Sequence, residues 1–218
     1  MGIDGERIGR WDRGVDVERF SPARRDAQAL PGELSVLYAG RLTREKGADL
    51  LADAFLAARE RDPRLHLCLA GGGPEEDALR ERLGTHASFL GWLEGDALAD
   101  AYASADLFLF CSRTDTFGQV LVEAGASGLP SVAVDEGGPA SIVVDGETGR
   151  LCDADPAMLA AAILQLADSP AWRAKLGRQA LEAARGRTWE AAMLQLADGY
   201  DRIVEPADQP RMELVRAA

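Results

Sequence analysis

The stretch DLFLFCSRTDTFGQVLVEAGASGLPSVAVDEGGP (106–139) spells out a strand, a loop, a helix and a second strand. DLFLFCS (106–112) is a nearly continuous apolar run. GQVLVEAGAS (118–127) has helical spacing between Gly118 and Gly128, and LPSVAVD (129–135) is apolar again. Apolar runs alternating with helices and punctuated by glycine mark βαβ units and a parallel sheet. Strands with so little polar alternation are covered on both faces.

The alternation continues outward in both directions. Upstream, SVLYAG (35–40) and LHLCLAG (65–71) are apolar runs ending in glycine, and ASFLG (87–91) is a short strand. KGADLLADAFLAARERD (46–62) places Leu50, Leu51, Ala54, Phe55 and Ala58 on one stripe and stops at Pro63. PEEDALRERL (74–83) and EGDALADAYASA (94–105) are also helical; Pro74 and the acids behind it suit a first turn. Downstream, GPASIVVDGETG is a short helix or turn and GRLCD (149–153) a last strand. Helices follow over 156–168, 170–186 and 188–205, with Pro206 as the stop. LQLAD recurs at 164–168 and 194–198 as two similar amphipathic helices, too few copies for a repeat protein. The expected fold is α/β: a Rossmann-like, doubly wound parallel sheet of about six strands with C-terminal helices. Residues 1–34 read as an approach segment without sustained period, 35–187 as the sheet domain, and 206–218 as a loosely held tail.

Composition narrows the function. The 218 residues are 47% hydrophobic and 28% charged, which fits a globular chain that needs no disulfide or metal to fold. Lys and Arg number 24 against 36 Asp and Glu, a net charge of −12. That excludes coating nucleic acid through a general positive field and leaves room for a local basic pocket. Cys68, Cys111 and Cys152 form no CxxC pair, and His66 and His86 form no HExxH, so no zinc site is expected. The cysteines read as buried free thiols in a reducing cytosol. No apolar stretch approaches the roughly 20 residues of a membrane span. MGIDGERIGRWDRGVD has neither a secretory apolar core nor the Ser or Thr at position 6 of a myristoylation signal.

Ligands of doubly wound sheets bind outside the carboxyl ends of the strands, so the glycine-rich exits are where chemistry belongs. The first exit is AGRLTREKGADLL (39–51). Gly40 lets the backbone turn closely, and Arg41 and Lys46 beside a helix start would hold a phosphate; as a bare pair they would equally be solvated charges. No Walker loop is present. LAGGGPEED (69–77) would bring backbone close to a ligand or make a tight turn. After the fourth strand, Asp115 suits an N-cap as well as a ligand. The amides of FGQVLV would attract a phosphate. Glu123 lies among apolar neighbours, either as a surface acid or held by sugar hydroxyls. VDEGGPASIV (134–143) adds a Gly-Gly turn. No Ser-His-Asp set is legible, and Asp115 with Glu123 does not make a glycosidase pair.

GVDVERF, YAGRLTREKGADLL, LAGGGPEEDALR, FLGWL, YASADLFLFCSRTDTFGQVLVEAGASGLPSVA and GGPASIVVDGETGRL occur in this order between residues 14 and 151. In that order and spacing, with the match running from about 13 to 200, the chain resembles the C-terminal half of retaining glycosyltransferases of family 4, with the GT-B fold. The resemblance implies two Rossmann-like domains, the N-terminal one for the acceptor and the C-terminal one for the nucleotide-sugar donor. Residues 1–34 then become an interdomain linker, 35–187 the nucleotide-sugar-binding domain and 188–205 a helix crossing back to a missing N-terminal acceptor domain.

The same resemblance implies roles. Arg41 and Lys46 neutralise the donor diphosphate, and Gly40 and Gly72 are tight turns beside it. Trp92 and Leu93 lie near the base, and Glu123 holds the ribose hydroxyls. Asp115 takes the first position of an E-x7-E pattern and grips a sugar hydroxyl. Phe117, Gly118, Gln119 and Val120 offer amides to sugar and phosphate. Asp in place of Glu, within TDTFG, is similar to a subgroup of GDP-mannose mannosyltransferases and UDP-sugar-dependent sugar-lipid synthases. Ser141 stands where an acid is common. The implied reaction is hexosyl transfer with retention to an acceptor hydroxyl, with no bound metal or cofactor and a nucleotide-sugar co-substrate. The implied setting is the cytoplasm, with peripheral membrane association of the full enzyme. A non-catalytic nucleotide-sugar-binding or regulatory module of the same fold is the alternative. An epimerase-like dinucleotide fold is disfavoured by the absent GxGxxG. Trp189, Met193, Leu194, Leu196, Tyr200, Ile203 and Val204 exceed what one packed face needs, so exposed apolar surface and self-association of the isolated chain are expected.

Overall fold

The computed structural model describes residues 11–203. Six strands, β1 Leu34–Ala39, β2 Leu65–Ala70, β3 Ala87–Gly91, β4 Leu107–Phe110, β5 Ser131–Val134 and β6 Gly149–Cys152, form one sheet. The order is β3-β2-β1-β4-β5-β6, and every neighbouring pair is parallel. This is the Rossmann-like sheet expected from the sequence and corresponds to one half of a GT-B fold. The strand order reverses between β1 and β4, and that switch point opens a crevice at the strand exits.

The helices are α1 Ala48–Arg61, α2 Glu76–Leu83, α3 Gly95–Ser104, α4 Gln119–Ala126, α5 Pro156–Asp168, α6 Pro170–Arg185 and α7 Trp189–Ile203. They cover both faces of the sheet, as the unbroken apolar strands require. Leu34, Val36 and Tyr38 of β1 pack with Leu51 and Phe55 of α1 and Leu159 and Ile163 of α5. Leu37 and Ala39, pointing the other way, join Tyr102 of α3 and Leu121 and Val122 of α4. Among the described residues no helix is long and apolar enough to cross a membrane.

Three local results differ from the sequence reading. The helix expected from residue 46 starts at Ala48. A 3-10 turn, Arg44–Lys46, comes first, and Gly47 separates the two at a φ of 77°. A Cβ on Gly47 would lie 2.2 Å from the Cys111 carbonyl oxygen, so only glycine lets the first and fourth strand exits approach this closely. Pro74 and Glu75 lie ahead of α2, which begins at Glu76.

The third difference is the approach segment. From Trp11 onward it packs as part of the domain. Val15, Phe20 and Leu30 are buried in the core beneath α3 and α4, and Val15 bridges Thr188 beside the start of α7. Arg24 pairs with Asp100 at 2.6 Å and Arg25 with Asp106 at 2.9 Å. Partly exposed pairs of this kind contribute little each, so the buried apolar side chains are the anchors. Residues 1–10, the end of the expected last helix at 204–205 and the tail 206–218 lie outside the described residues.

Candidate functional site: the crevice between the first and fourth strands

Backbone hydrogen bonds continue beyond the strands and draw three exits together. Gly40 donates to Ala70 O, Leu42 to Gly72 O, and Gly71 to Gly91 O. A Cβ on Gly71 would fall 1.9 Å from the Gly40 oxygen, and Gly71 has a φ of 142°. Glycine there is a packing requirement. The LAGGG run therefore makes a close backbone approach as well as a turn.

A cavity of about 130 Å³ sits at the switch point. Gly40, Arg41 and Lys46 line one side, and Asp115, Gly118, Gln119 and Val120 line the other. Tyr38, Ala39, Phe110 and Ser112 close it. Two segments about 70 residues apart in sequence thus meet in one pocket. Asp115, Gly118 and Gln119 also line a larger cleft of about 720 Å³ on the far side of the 115–119 loop. Phe117, Gly137, Gly138 and Ser141 face that cleft, together with Trp11, Asp12 and Arg13.

The charges are arranged unevenly. Lys46 Nζ lies 2.7 Å from Asp115 Oδ1, with 22% and 24% of the two side chains exposed. Asp115 is an ion-pair partner here and not a helix cap. Arg41 pairs with Glu45 at 2.7 Å in the open, and the Tyr38 hydroxyl donates to the Arg41 carbonyl at 2.7 Å. Gly118, at a φ of 89°, is the N-cap of α4, and no side chain caps the helix there. The amide end of a helix therefore faces the pocket next to Lys46, a combination that favours an anion. The Ser112 hydroxyl and Gln119 Oε1 are buried in the pocket wall without a hydrogen-bond partner. Among the described residues no group of three or more His, Cys, Asp or Glu is placed to hold a metal ion.

Five of the expected residues stand outside this cavity: Phe117, which lines the larger cleft, and Gly72, Trp92, Leu93 and Glu123. Gly72 faces Trp92, whose Nε1 would be 3.0 Å from a Cβ added there. Trp92 itself is 64% exposed. Leu93 packs partly buried against the α3–α4 side of the core. Glu123 accepts a hydrogen bond of 3.1 Å from the Tyr102 hydroxyl. Burial pushes its carboxyl up to about 7, while hydrogen bonds from Tyr102 and Gln119 act in the opposite direction. Glu123 is thus a partly buried, partnered acid, not a surface one. Tyr38, Ser112 and Tyr102 escaped the sequence reading because each stands in an apolar or small-residue run that reads as core.

The family described as "Glycosyl transferases group 1" matches residues 21–183. A GDP-mannose-dependent alpha-mannosyltransferase of Mycolicibacterium smegmatis is 38% identical over 205 residues, covering 91% of this chain and 52% of that protein. D-inositol 3-phosphate glycosyltransferase 2 of Catenulispora acidiphila is 36% identical over 224 residues, covering 94% and 52%. Among solved structures, Anabaena HepE in complex with UDP and glucose superposes with a TM-score of 0.75 at 26% identity, over 86% of this chain and 55% of that one. The chain spans about half the length of the curated relatives it matches. With three quarters of its residues inside the family match, the chain belongs to the glycosyl transferases group 1 family.

Proposed function

We propose that this chain is the nucleotide-sugar-binding, C-terminal half of a retaining hexosyltransferase of the GT-B type. One observation carries the reading. Lys46, Arg41 and the uncapped start of α4 converge on one pocket at the sheet's switch point. Two cations and a helix amino end neutralise a diphosphate, and they stabilise it most as it departs from the sugar. Lys46 and Arg41 take that role. Asp115, held by Lys46, grips a hydroxyl of the transferred sugar. Phe117, Gly118, Gln119 and Val120 present backbone to sugar and phosphate. Gly40 and Gly72 keep the floor open, Trp92 and Leu93 flank the base, and Glu123 receives the ribose hydroxyls.

The reaction breaks the bond between the anomeric carbon and the diphosphate oxygen. It forms a bond from that carbon to an acceptor hydroxyl on the same face of the sugar, and the hydroxyl proton passes to the departing diphosphate. The acceptor contacts belong to a partner domain placed across the 720 Å³ cleft, so the isolated chain binds donor without turning it over. The donor in this reading is GDP-mannose or a UDP-hexose, as the resemblance of the TDTFG loop (114–118) implies. The relative that uses GDP-mannose and the UDP-bound structural neighbour support both bases. The whole enzyme acts in the cytoplasm and contacts a membrane surface peripherally.

A thermal-shift panel of UDP, GDP, ADP and their sugars, with and without Mg²⁺, tests this. A ligand at a hundred times its Kd stabilises by about 2.7 kcal/mol, a rise of roughly 5–10 °C for a chain of this size. A response to one base that is independent of Mg²⁺ supports the reading. No response to any of them contradicts it.

A further inference from the structure

Tyr102 is fully buried, and among the described residues its hydroxyl has one hydrogen-bond partner, the Glu123 carboxylate. The ring is fixed on two sides. Phe20 meets it edge-on at 5.7 Å and 75°, and Phe108 tilts against it at 5.4 Å. Gln119, one helical turn earlier, also favours the ionised form of Glu123. Gln119 Nε2 in turn donates to the Gly14 carbonyl at 3.0 Å. Both supports therefore lean on the leading segment, Phe20 behind Tyr102 and Gly14 behind Gln119. A buried carboxylate without a paired cation keeps its orientation only through such donors.

We infer that Tyr102 is a positioning residue for donor binding: its hydroxyl aims the Glu123 carboxylate at the ribose diol, and the segment 14–20 sets that aim. The inference rests on the donor-site reading, in which Glu123 receives the ribose. Tyr102 itself touches no ligand. The groups acting on Glu123 are Tyr102 of α3 and Gln119 of its own helix, and Tyr38 of β1 raises the titration of Tyr102 electrostatically. A donated hydrogen bond favours the ionised carboxylate, so loss of the hydroxyl moves its titration upward.

The test uses UDP and GDP with their 2′,3′-dideoxy analogues, titrated calorimetrically into the wild-type chain and the variants Tyr102→Phe, Glu123→Gln and the double variant. Phe preserves both ring contacts. For the nucleotide that wild type binds, Tyr102→Phe is expected to weaken affinity about five- to tenfold, the scale of one ordinary hydrogen bond. The dideoxy analogue should lose almost nothing, and the pH midpoint of binding should rise. In the Glu123→Gln background the same change should have no further effect on ribose preference. Equal losses for both ligands, or no loss, would overturn the positioning role while leaving the donor site intact. Unchanged affinity in Glu123→Gln, or no binding by wild type, would overturn the donor reading and this inference with it.

Discussion

Glu123 makes stability depend on pH in an unusual direction for a carboxylate. Its folded pKa is about 7 against 4.5 for the free side chain, because burial disfavours the charge more than Tyr102 and Gln119 favour it. A raised folded pKa contributes stability that is fully present below the unfolded value and lost as pH rises through the folded one. The window is therefore pH 4.5 to about 7.5. At 1.36 kcal/mol per unit the shift corresponds to about 3 kcal/mol, and partial exposure makes that an upper figure. Glu123→Gln removes the titration and keeps a group that accepts from Tyr102. Urea unfolding of both proteins at half-unit steps from pH 4.5 to 8.5 measures the effect. The stability of the variant relative to wild type should climb by about 2–3 kcal/mol across that range. Parallel curves would refute the claim that this carboxylate is desolvated and lacks a compensating cation.

Ribose hydroxyls donate to the ionised form, so nucleotide binding at pH 7 should release about half a proton more from wild type than from Glu123→Gln; calorimetry in two buffers of different ionisation enthalpy measures it, and no difference would place the ribose elsewhere. Gly71→Ala forces a Cβ against the Gly40 oxygen, so a loss on the order of 2–4 kcal/mol is expected in urea unfolding. A neutral result would show that the first two strand exits are not locked together. Trp189 and Met193 of α7 are nearly half exposed. If this surface drives self-association, the wild-type chain should associate with rising concentration in sedimentation, and replacing both with Ser should abolish that at a stability change below about 1 kcal/mol; a strictly monomeric wild type, or association that persists in the variant, would refute it.

The sheet was legible because Leu107–Phe110, Ser131–Val134 and their counterparts are apolar on both faces and end at glycine or small polar exits. The sequence also marked Gly40, Arg41, Lys46, Asp115 and Gly118 individually. It could not show that Lys46 and Asp115 touch, because an ion pair spanning 69 residues depends on strand order, which spacing does not encode. The start of α1 was misplaced because Gly47 falls within a helical pattern and is dictated by contact with Cys111. The leading segment read as an approach segment because Val15, Phe20 and Leu30 have no common period; all three are buried in the cluster that also holds Tyr102 and Leu121. Tyr102 sits among small helical residues whose pattern says only that the helix is packed. Its hydroxyl acquires a role only because α3 and α4 lie side by side.

The central claim is that the crevice between the first and fourth strands binds the diphosphate of a nucleotide sugar. Calorimetric titration of UDP and GDP into the wild-type chain and Lys46→Ala tests it most directly. One saturable site for one of the two nucleotides in wild type, weakened at least about tenfold by loss of the lysine, is the expected result. Wild type that binds neither nucleotide, or a Lys46→Ala variant that binds as tightly as wild type, would contradict it.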